Sequence, residues 1–415
     1  MKTGQALLCA AVISVLSTAA DAARAQWIGT WGASPLPPSA AAGPMPGTPR
    51  FSNQTIRQVV RISAGGSRVR VRFTNEYGTK ALVIGGAHVA LADAKGEVQA
   101  GTDKVLTFAG KPTVVIPAGA PLLSDPVDLP TKALATLSIS LYLPEDTGPC
   151  TCHQLGMQTG YVSDTGDFTS KSFTPAQTIA SRAFISGVEV ETSAPAKVIA
   201  VLGDSISDGA GSTADTNRRW PDLLAERLAA RHANQAWGVM NEGISGNRVL
   251  NDGAGQSALA RFDRDVLAVP GVSHVIVFLG VNDLGVSYGK LEGPLAEFFK
   301  SQIPPHKPTA ETMIAAYRQL IDRGHAKGLQ VYGATIAPYE GAAYYSAEGE
   351  AVRQAINTWM RTGHAFDAVL DFDAAFRDPT HPTQIATPLQ AGDHLHGSDA
   401  GYEAVAKSID LSLFK

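Results

Sequence analysis

The sequence predicts an all-β sandwich of jelly-roll type over residues 26–192, followed by a three-layer α/β/α domain with a parallel sheet over residues 193–415. Residues 26–190 contain short apolar alternations separated by Gly and Pro, with no convincing period of 3.6 residues. After Pro195, continuous apolar runs alternate with helical patterns, as is typical of a parallel sheet flanked by helices. A chain of 415 residues is also long enough for two or three domains with cores of their own.

The first 25 residues are predicted to be a signal peptide. Lys2 supplies a positive charge, residues 6–16 form an apolar run too short to span a bilayer, and residues 23–25 (Ala-Arg-Ala) match a small-x-small cleavage site. No later segment has about 18 uninterrupted apolar residues, the minimum for a membrane-spanning helix. We therefore expect a secreted or periplasmic protein without an integral membrane segment.

The clearest strand of the first half is residues 68–73 (RVRVRF), where arginine and apolar side chains alternate strictly. Residues 65–67 (GGS) predict a hairpin turn before this strand. Residues 81–84, 113–116 and 137–143 predict further short strands. Several arginines are interpreted as a solvated sheet face rather than as a ligand-binding stripe: Arg57, Arg61, Arg68, Arg70 and Arg72.

The second half alternates predicted strands with predicted helices. Four apolar runs predict strands of the parallel sheet: 198–202, 275–279, 329–336 and 369–372. Apolar residues at helical spacing predict helices at 220–228, 313–321, 352–360 and 400–413. Residues 285–309, rich in Pro and Gly, predict a loop that shapes the substrate site. In such a domain the chemistry is expected at the carboxyl ends of the strands.

Composition and charge exclude several classes of protein. The chain is 44% hydrophobic and 17% charged, which is too apolar for a disordered chain. Its formal net charge of −4 argues against a nucleic-acid partner held by phosphate contacts. Cys150 and Cys152, with the adjacent His153, lack the usual spacing of a zinc site, and the sequence leaves open whether the two cysteines form a disulfide.

A serine lies directly after the first predicted strand of the parallel sheet, in residues 203–209 (GDSISDG). A tight turn at this edge would hold the Ser205 hydroxyl and its backbone N–H on a rigid scaffold, as nucleophilic acyl transfer requires. A plain turn or a helix cap would have the same sequence, so this segment alone does not identify an enzyme.

Three further segments of the second half carry residues suited to the same chemistry. Residues 241–247 form a Gly-rich loop whose amides could face an oxyanion, and Asn282 follows the strand predicted at 275–279. Asp393 precedes His396 by three residues, so its carboxylate can fold back onto Nδ1 and leave Nε2 free to face the serine. Turns and a surface histidine pair would explain each segment separately, but their joint occurrence in this order favours catalysis.

The four segments resemble the sequence blocks of the SGNH hydrolases, also called GDSL esterases/lipases. Residues 203–205 match the serine block, 244–246 the glycine block, 280–283 the Gly-x-Asn-Asp block and 393–396 the Asp-x-x-His block. Ile206 stands where the family's serine block usually continues with Leu, which is a conservative departure. The resemblance implies a flavodoxin-like three-layer domain, and the β-rich first half is similar to secreted bacterial members with an added β-sandwich.

The resemblance also implies a role for each matched residue. Ser205 would be the nucleophile, His396 the general base and then acid, and Asp393 the partner that orients His396. The backbone N–H groups of Ser205 and Gly246, with the side-chain amide of Asn282, would form the oxyanion hole. The chemistry of such a site requires no metal and no cofactor.

The sequence therefore predicts a secreted serine esterase that acts on carboxylic esters through an acyl-enzyme. We expect short acyl groups such as acetyl, on a small-molecule or polysaccharide-linked ester, with longer-chain lipid esters as the main alternative. Rival classes are a non-catalytic carbohydrate-binding protein and a metal-dependent phosphoesterase using Asp371, Asp373, His394 and His396. Residues 26–190 contain no candidate nucleophile–base pair, so every catalytic block is placed in the second half.

Overall fold

The computed structural model describes residues 25–40, 47–93, 95–231, 234–292, 296, 299 and 302–415. The predicted signal peptide lies outside the described residues except for Ala25. None of the helices in the described part of the chain is long and apolar enough to cross a bilayer.

The N-terminal β region, residues 25–192, is built from antiparallel strands. They are β1 (Gln26–Gly32), β2 (Gln54–Arg61), β3 (Arg68–Thr74), β4 (Leu82–Ile84), β5 (Gly86–Leu91), β6 (Lys104–Val105), β7 (Val114–Ile116), β8 (Pro121–Leu123), β9 (Val127–Asp128), β10 (Thr136–Leu143), β11 (Cys152–His153), β12 (Gly160–Thr165), β13 (Gln177–Ile179), β14 (Arg182–Ala183) and β15 (Ile185–Thr192). One sheet has the order β1-β15-β3-β8, with β9 also paired to β3, and the other has the order β13-β12-β2-β10-β5-β6. The pairs β11-β14 and β4-β7 lie apart from both sheets.

The inward faces of the two sheets share one hydrophobic core. In β3, Val69, Val71 and Phe73 are buried while the arginines between them are partly exposed, as the alternation predicts. Ile139 and Leu141 of β10, in the other sheet, belong to the same buried cluster. The alternating pattern of the sequence therefore corresponds to the side of each strand that faces this core.

Two interpretations of this region are wrong. Residues 65–67 do not form a hairpin turn, because β2 and β3 belong to different sheets and the segment connects those sheets. The arginines do not share one solvated face either, for the same reason. Arg57 is buried and donates to the hydroxyl of Ser140 at 2.9 Å, and Arg61 pairs with Glu226 of the second half at 2.7 Å.

The second half is an α/β domain with a parallel sheet. Its strands are β16 (Ala196–Gly203), β17 (Ala236–Gly243), β18 (Val272–Phe278), β19 (Gln330–Ala334) and β20 (Ala368–Leu370). Its α-helices are α1 (Ser205–Asp208), α2 (Trp220–Arg231), α3 (Ala258–Phe262), α4 (Val281–Tyr288), α5 (Ala310–His325), α6 (Ala347–Thr362), α7 (Phe372–Phe376) and α8 (Asp399–Ser408). Shorter turns are the π-helical Asp263–Leu267 and the 3₁₀-helical Thr387–Leu389 and Leu411–Leu413.

The order of the parallel strands determines where a ligand can bind. The sheet has the order β17-β16-β18-β19-β20, so the first strand of the domain lies between the second and the third. This is the flavodoxin-like order. In such sheets ligands bind at the carboxyl ends of the strands, at the point where strands have been added on opposite sides of the first strand. Here that point lies between β16 and β18. The segments after both strands are those that carry Ser205 and Asn282.

Two predicted loops of the second half are partly regular structure. Residues 285–288 belong to α4, so the predicted 285–309 loop begins as helix up to Tyr288. Residues 241–243 are the end of β17, so the Gly-rich loop begins at Ile244. In each case a polar or glycine-containing segment continues a helix or strand. Packing of that helix or strand against its neighbours stabilises the extension.

The N-terminal β region packs directly on the parallel sheet. β1 lies against β17, and the backbone N–H of Gly29 donates to the carbonyl of Pro270 at 2.9 Å. Val198, Met240 and Val269 of the second half belong to the same hydrophobic cluster as the core of the β region. The two halves therefore share buried apolar surface.

Candidate active site

Ser205 begins a short helix at the carboxyl end of β16. Gly203 ends the strand, and the Asp204 carboxylate caps α1 by accepting the backbone N–H of Ile206 at 3.0 Å. The helix ends after one turn at Gly209. Because the strand and the cap fix the backbone on both sides, the Ser205 hydroxyl is held in one place at the edge of the sheet.

His396 and Asp393 complete a hydrogen-bonded chain with Ser205. The Oγ of Ser205 lies 2.8 Å from Nε2 of His396, and Nδ1 of His396 lies 2.5 Å from Oδ2 of Asp393. A carboxylate only accepts hydrogen bonds, so Nδ1 carries the proton and Nε2 accepts the serine hydroxyl. This is the tautomer that a general base needs.

Asp393 remains ionised because of its hydrogen bonds. Partial burial raises the pKa of Asp393, but the hydrogen bond from His396 and the backbone N–H groups of Leu395 and His396 outweigh burial and hold the pKa below its usual range. The same two N–H bonds fold residues 393–396 into a turn that directs the carboxylate onto the imidazole.

The oxyanion loop, residues 244–247, lies beside the serine turn. The N–H of Ile244 donates to the carbonyl of Gly203 at 3.1 Å, which ties the loop to the end of β16. Gly246 has φ +78°, a conformation that favours glycine, and an added Cβ would lie 3.0 Å from Ala254. Within the described residues, the backbone N–H groups of Ser205 and Gly246 have no hydrogen-bond acceptor, which leaves both free to bind an oxyanion.

Asn282 is fixed by hydrogen bonds at both ends of its amide. Its Nδ2 donates to the carbonyl of Asn247 at 3.1 Å, and its Oδ1 accepts the hydroxyl of Tyr344 at 3.1 Å. The Asn247 carbonyl only accepts hydrogen bonds, so it determines which end of the amide carries the donor, and the Tyr344 hydroxyl donates to the other end. One N–H of Nδ2 remains for a ligand. Tyr344 has no counterpart in the sequence blocks, and nothing in its sequence context pointed to it.

Two buried carboxyl groups stabilise these turns, and burial shifts the pKa of both. Burial raises the pKa of Asp204 to about 7 and that of Asp283 to about 6. Asp283 accepts the backbone N–H groups of Val249 at 2.8 Å and Leu250 at 3.1 Å. The segment after β18 is thereby joined to the segment after the oxyanion loop.

A buried arginine joins the ends of the first two strands of the domain. Arg261 donates to the carbonyls of Gly203 at 2.9 Å and Glu242 at 2.6 Å, and to Oδ1 of Asn247 at 3.0 Å. Its Nη1 also contacts the hydroxyl of Ser34, just after β1, at 3.2 Å. Sequence reasoning missed Arg261, because an arginine in a helix carries no signal that it is buried.

The metal-binding alternatives do not fit the observed contacts. Cys150 and Cys152 are joined in a disulfide, which leaves no thiolate beside His153 for a metal. Asp371 pairs with Arg361 at 2.7 Å, and Asp373 pairs with Arg353 at 2.7 Å. Over the part of the chain that the structure describes, no group of three or more His, Cys, Asp and Glu side chains is arranged to hold a metal ion.

The structure thus brings Ser205, His396 and Asp393 into one hydrogen-bonded chain. It places Gly246 on a loop bonded to the serine turn and Asn282 on a segment bonded to that loop. It also adds contacts that the sequence did not indicate. His153 of β11 lies 2.8 Å from Asp208, the last residue of α1. Its only signal in the sequence was its position beside two cysteines.

Part of the second half matches a known protein family. Residues 201–404 match the GDSL-like Lipase/Acylhydrolase family. No curated protein matches the sequence. The solved structures similar to this chain include a lipolytic protein of the G-D-S-L family from Desulfitobacterium hafniense, with 20% identity, covering 51% of this chain and 96% of that one with a TM-score of 0.36.

Two further solved structures are similar to this chain over the same share of its length. An α/β hydrolase enzyme from the metagenome of Lake Arreo in Spain is 22% identical, with 52% of this chain and 94% of that chain covered and a TM-score of 0.38. An acetyl xylan esterase from Geobacillus stearothermophilus is 23% identical, with coverage of 51% and 92% and a TM-score of 0.37. The family match therefore concerns residues 201–404, the segment that contains Ser205, Asn282, Asp393 and His396.

Proposed function

We propose that the protein is a serine esterase in which Ser205, His396 and Asp393 form the catalytic triad. The observation that carries the proposal is the continuous chain from the Ser205 hydroxyl through His396 to Asp393, with contacts of 2.8 Å and 2.5 Å. A nucleophile, its base and the group that orients the base are in hydrogen-bond contact, which is the requirement for acyl transfer by a serine.

The reaction follows from this arrangement in two steps. Oγ of Ser205 attacks the ester carbonyl as its proton passes to Nε2 of His396; the ester C–O bond breaks, and His396 returns the proton to the leaving alcohol. A water molecule then attacks the acyl-enzyme while His396 accepts its proton, the bond to Ser205 breaks, and Oγ regains a proton. Asp393 stabilises the imidazolium formed in each step.

The oxyanion hole is assigned to the N–H groups of Ser205 and Gly246 and to Nδ2 of Asn282. These three donors lie on three segments of the chain, and hydrogen bonds join the segments to one another. Removing one such donor typically costs about 10²–10³-fold in kcat. Two observations support this assignment: the N–H groups of Ser205 and Gly246 have no acceptor among the described residues, and the amide of Asn282 is fixed.

Short acyl groups, with acetyl as the first candidate, are the proposed substrates, on carbohydrate or related alcohols. Ser205 is only 5% exposed, and the ring of Tyr344, which bonds Asn282, is buried at the same site. A small acyl group needs less room beside such a serine than a long chain does. The sequence evidence for export further favours an extracellular ester, so a panel of p-nitrophenyl esters from acetate to palmitate should show the highest kcat/KM for acetate.

Serine-directed labelling tests the nucleophile. The full chain should react covalently with a fluorophosphonate and hydrolyse p-nitrophenyl acetate, and Ser205→Ala should do neither. Ser207→Ala is the matched control, because Ser207 is a buried serine of the same turn whose hydroxyl accepts the indole N–H of Trp220 at 3.3 Å. An unlabelled wild-type chain would favour a non-catalytic binding protein, and hydrolysis that disappears with EDTA would favour a phosphoesterase.

We also propose the division of the chain into a signal peptide (1–25), a jelly-roll-like β-sandwich domain (26–192) and the hydrolase domain (193–415). Two packed antiparallel sheets with a common core support the second domain. The disulfide between Cys150 and Cys152 supports export to an oxidising compartment. N-terminal sequencing of the protein from the culture medium or the periplasm would test the cleavage site, which should leave Gln26 first.

A further inference from the structure

A buried His–Asp pair links the N-terminal β region to the serine turn. Nε2 of His153, in β11, lies 2.8 Å from Oδ1 of Asp208, and both side chains are buried. Asp208 is the last residue of α1, three positions after Ser205. The contact therefore joins two halves of the chain at one turn from the candidate nucleophile.

The partners of His153 determine its protonation state. Nδ1 lies 3.0 Å from the carbonyl oxygen of Ser34, which only accepts hydrogen bonds, so Nδ1 carries a proton. Nε2 faces the Asp208 carboxylate and must also donate. Burial lowers the pKa of His153, but the Asp208 carboxylate outweighs burial and raises the pKa above its usual value. The pair is thus an imidazolium and a carboxylate, so that each buried charge has a partner of opposite sign.

The second oxygen of the same carboxylate holds the oxyanion loop. Oδ2 of Asp208 accepts the backbone N–H of Ser245 at 3.0 Å and the hydroxyl of Ser245 at 2.8 Å. Ser245 directly precedes Gly246, whose N–H is a proposed oxyanion donor. One carboxylate thus fixes the end of the serine turn and the loop that donates to the oxyanion.

The backbone that carries His153 is held firmly in the β region. β11 pairs with β14, where Cys152 opposes Ala183 and His153 opposes Arg182. Leu36 bonds the carbonyl of Cys152 from the other side, at 2.9 Å, and the disulfide to Cys150 closes the segment. An imidazole on such a scaffold sets the position of the Asp208 carboxylate.

We propose that His153 is a positioning residue of the hydrolase site, contributed by the N-terminal β region, which sets the oxyanion loop through Asp208. The proposal rests on the proposed esterase function. Its consequence is that residues 26–192 are part of the active site and do more than select or hold a substrate.

The test compares two His–Asp pairs of the β region in the full-length chain. His153→Gln keeps one donor but removes the positive charge and shifts the contact. His88→Gln is the matched control, because His88 of β5 pairs with Asp103 at 2.7 Å. We expect His153→Gln to lower kcat for p-nitrophenyl acetate by about 10–100-fold, the range for a small displacement of catalytic groups, with KM changed less than about threefold. His88→Gln should leave both constants unchanged.

Asp208→Asn provides the second variant, since it preserves side-chain shape. It should lower kcat similarly, and the double variant with His153→Gln should lose much less than the product of the two single losses. Wild-type kcat and KM in a folded His153→Gln variant, or fully multiplicative losses, would overturn the proposal. Failure of both single variants to fold would assign the pair to stability and overturn it as well.

The outcome for the wild-type chain separates this proposal from the esterase assignment. An active wild type whose activity is lost in Ser205→Ala, with an unaffected His153→Gln, would leave the esterase assignment standing and remove only the role of His153. A wild type with neither labelling nor hydrolysis would overturn both.

Discussion

The hydroxyl of Ser205 and Nε2 of His396 lie 2.8 Å apart, although 191 positions separate the two residues in the chain. Ser205 reaches this point through β16 and the Asp204 cap, and His396 through the Asp393 turn ahead of α8. Neither segment would place its side chain correctly alone. Activity should therefore depend on local contacts that hold each segment at the edge of the sheet.

His396→Ala should lower kcat/KM at least about 10⁴-fold, because nucleophile and base act as a unit. His394→Asn is the control, and it should retain most of the activity. His394 lies against Gly341 and has φ +61°, a conformation that Asn tolerates well. Initial rates on p-nitrophenyl acetate measure the activity of both variants. A greater loss for His394→Asn would show that the wrong histidine has been assigned as the base.

Asp393→Ala should cost about a hundredfold less than His396→Ala, since a triad carboxylate orients the base but accepts no proton. It should still impair the enzyme, because Asp393 also accepts the backbone N–H groups of Leu395 and His396 and so shapes their turn. Comparing kcat/KM of the two variants on one ester decides the matter. Equal losses would mean that the carboxylate is as essential as the base.

The catalytic candidates could be predicted because each occupies a short sequence segment with a local physical meaning. Ser205 follows a continuous apolar strand, and Asp393 and His396 are close enough in the chain to contact each other. The parallel sheet followed from the alternation of apolar runs with segments of helical spacing. These signals are all local.

The contacts that support the site could not be predicted in the same way. His153 and Asp208 are 55 positions apart, and Arg261 and Ser34 are 227 apart, so their contacts depend on how two halves of the chain pack. The hairpin expected at residues 65–67 was wrong for a related reason. A glycine-containing turn has the same local sequence whether the chain returns within one sheet or passes to another.

Tyr344→Phe should lower kcat about tenfold and leave KM nearly unchanged, a smaller effect than the roughly 10²–10³-fold loss expected for Asn282→Ala. The phenol hydroxyl donates the hydrogen bond that holds Oδ1 of Asn282, and Phe removes only that atom. Thermal unfolding of both variants should be recorded beside the kinetics. A Tyr344→Phe variant with wild-type kcat would show that the contact with Asn247 suffices to orient the amide.

Asp283→Asn should change how stability depends on pH. Burial raises the pKa of Asp283 in the folded protein to about 6, whereas an unfolded aspartate titrates near 4. Between about pH 4 and pH 6 the unfolded chain releases this proton before the folded chain does, so the group's contribution to stability is lost as pH rises through that window. Asn cannot titrate. The Tm of the variant minus that of the wild type should therefore rise from pH 4 to pH 7, and a constant difference would contradict the shift.

Gly238→Ala should loosen the junction between the two halves of the chain. An added Cβ on Gly238 of β17 would lie 2.1 Å from the backbone oxygen of Gly29 in β1, so the two strands would have to separate. Overpacking of this kind costs about 1–3 kcal/mol of unfolding free energy. Ser34 follows β1 and bonds Glu242 at the end of β17, so displacement of β1 should also reduce esterase activity.

Gly86→Ala is the control for this substitution, because the nearest atom to its added Cβ is 3.6 Å away and its backbone is in an ordinary strand conformation. It should be neutral or slightly stabilising, since alanine restricts the unfolded chain. Urea unfolding of both variants, followed by tryptophan fluorescence and by residual activity, gives the comparison. Equal stabilities for the two alanine variants would mean that β1 can move away from β17 at little cost. A Gly238→Ala variant that is destabilised but fully active would instead show that the position of β1 matters to stability and leaves the geometry of the site intact.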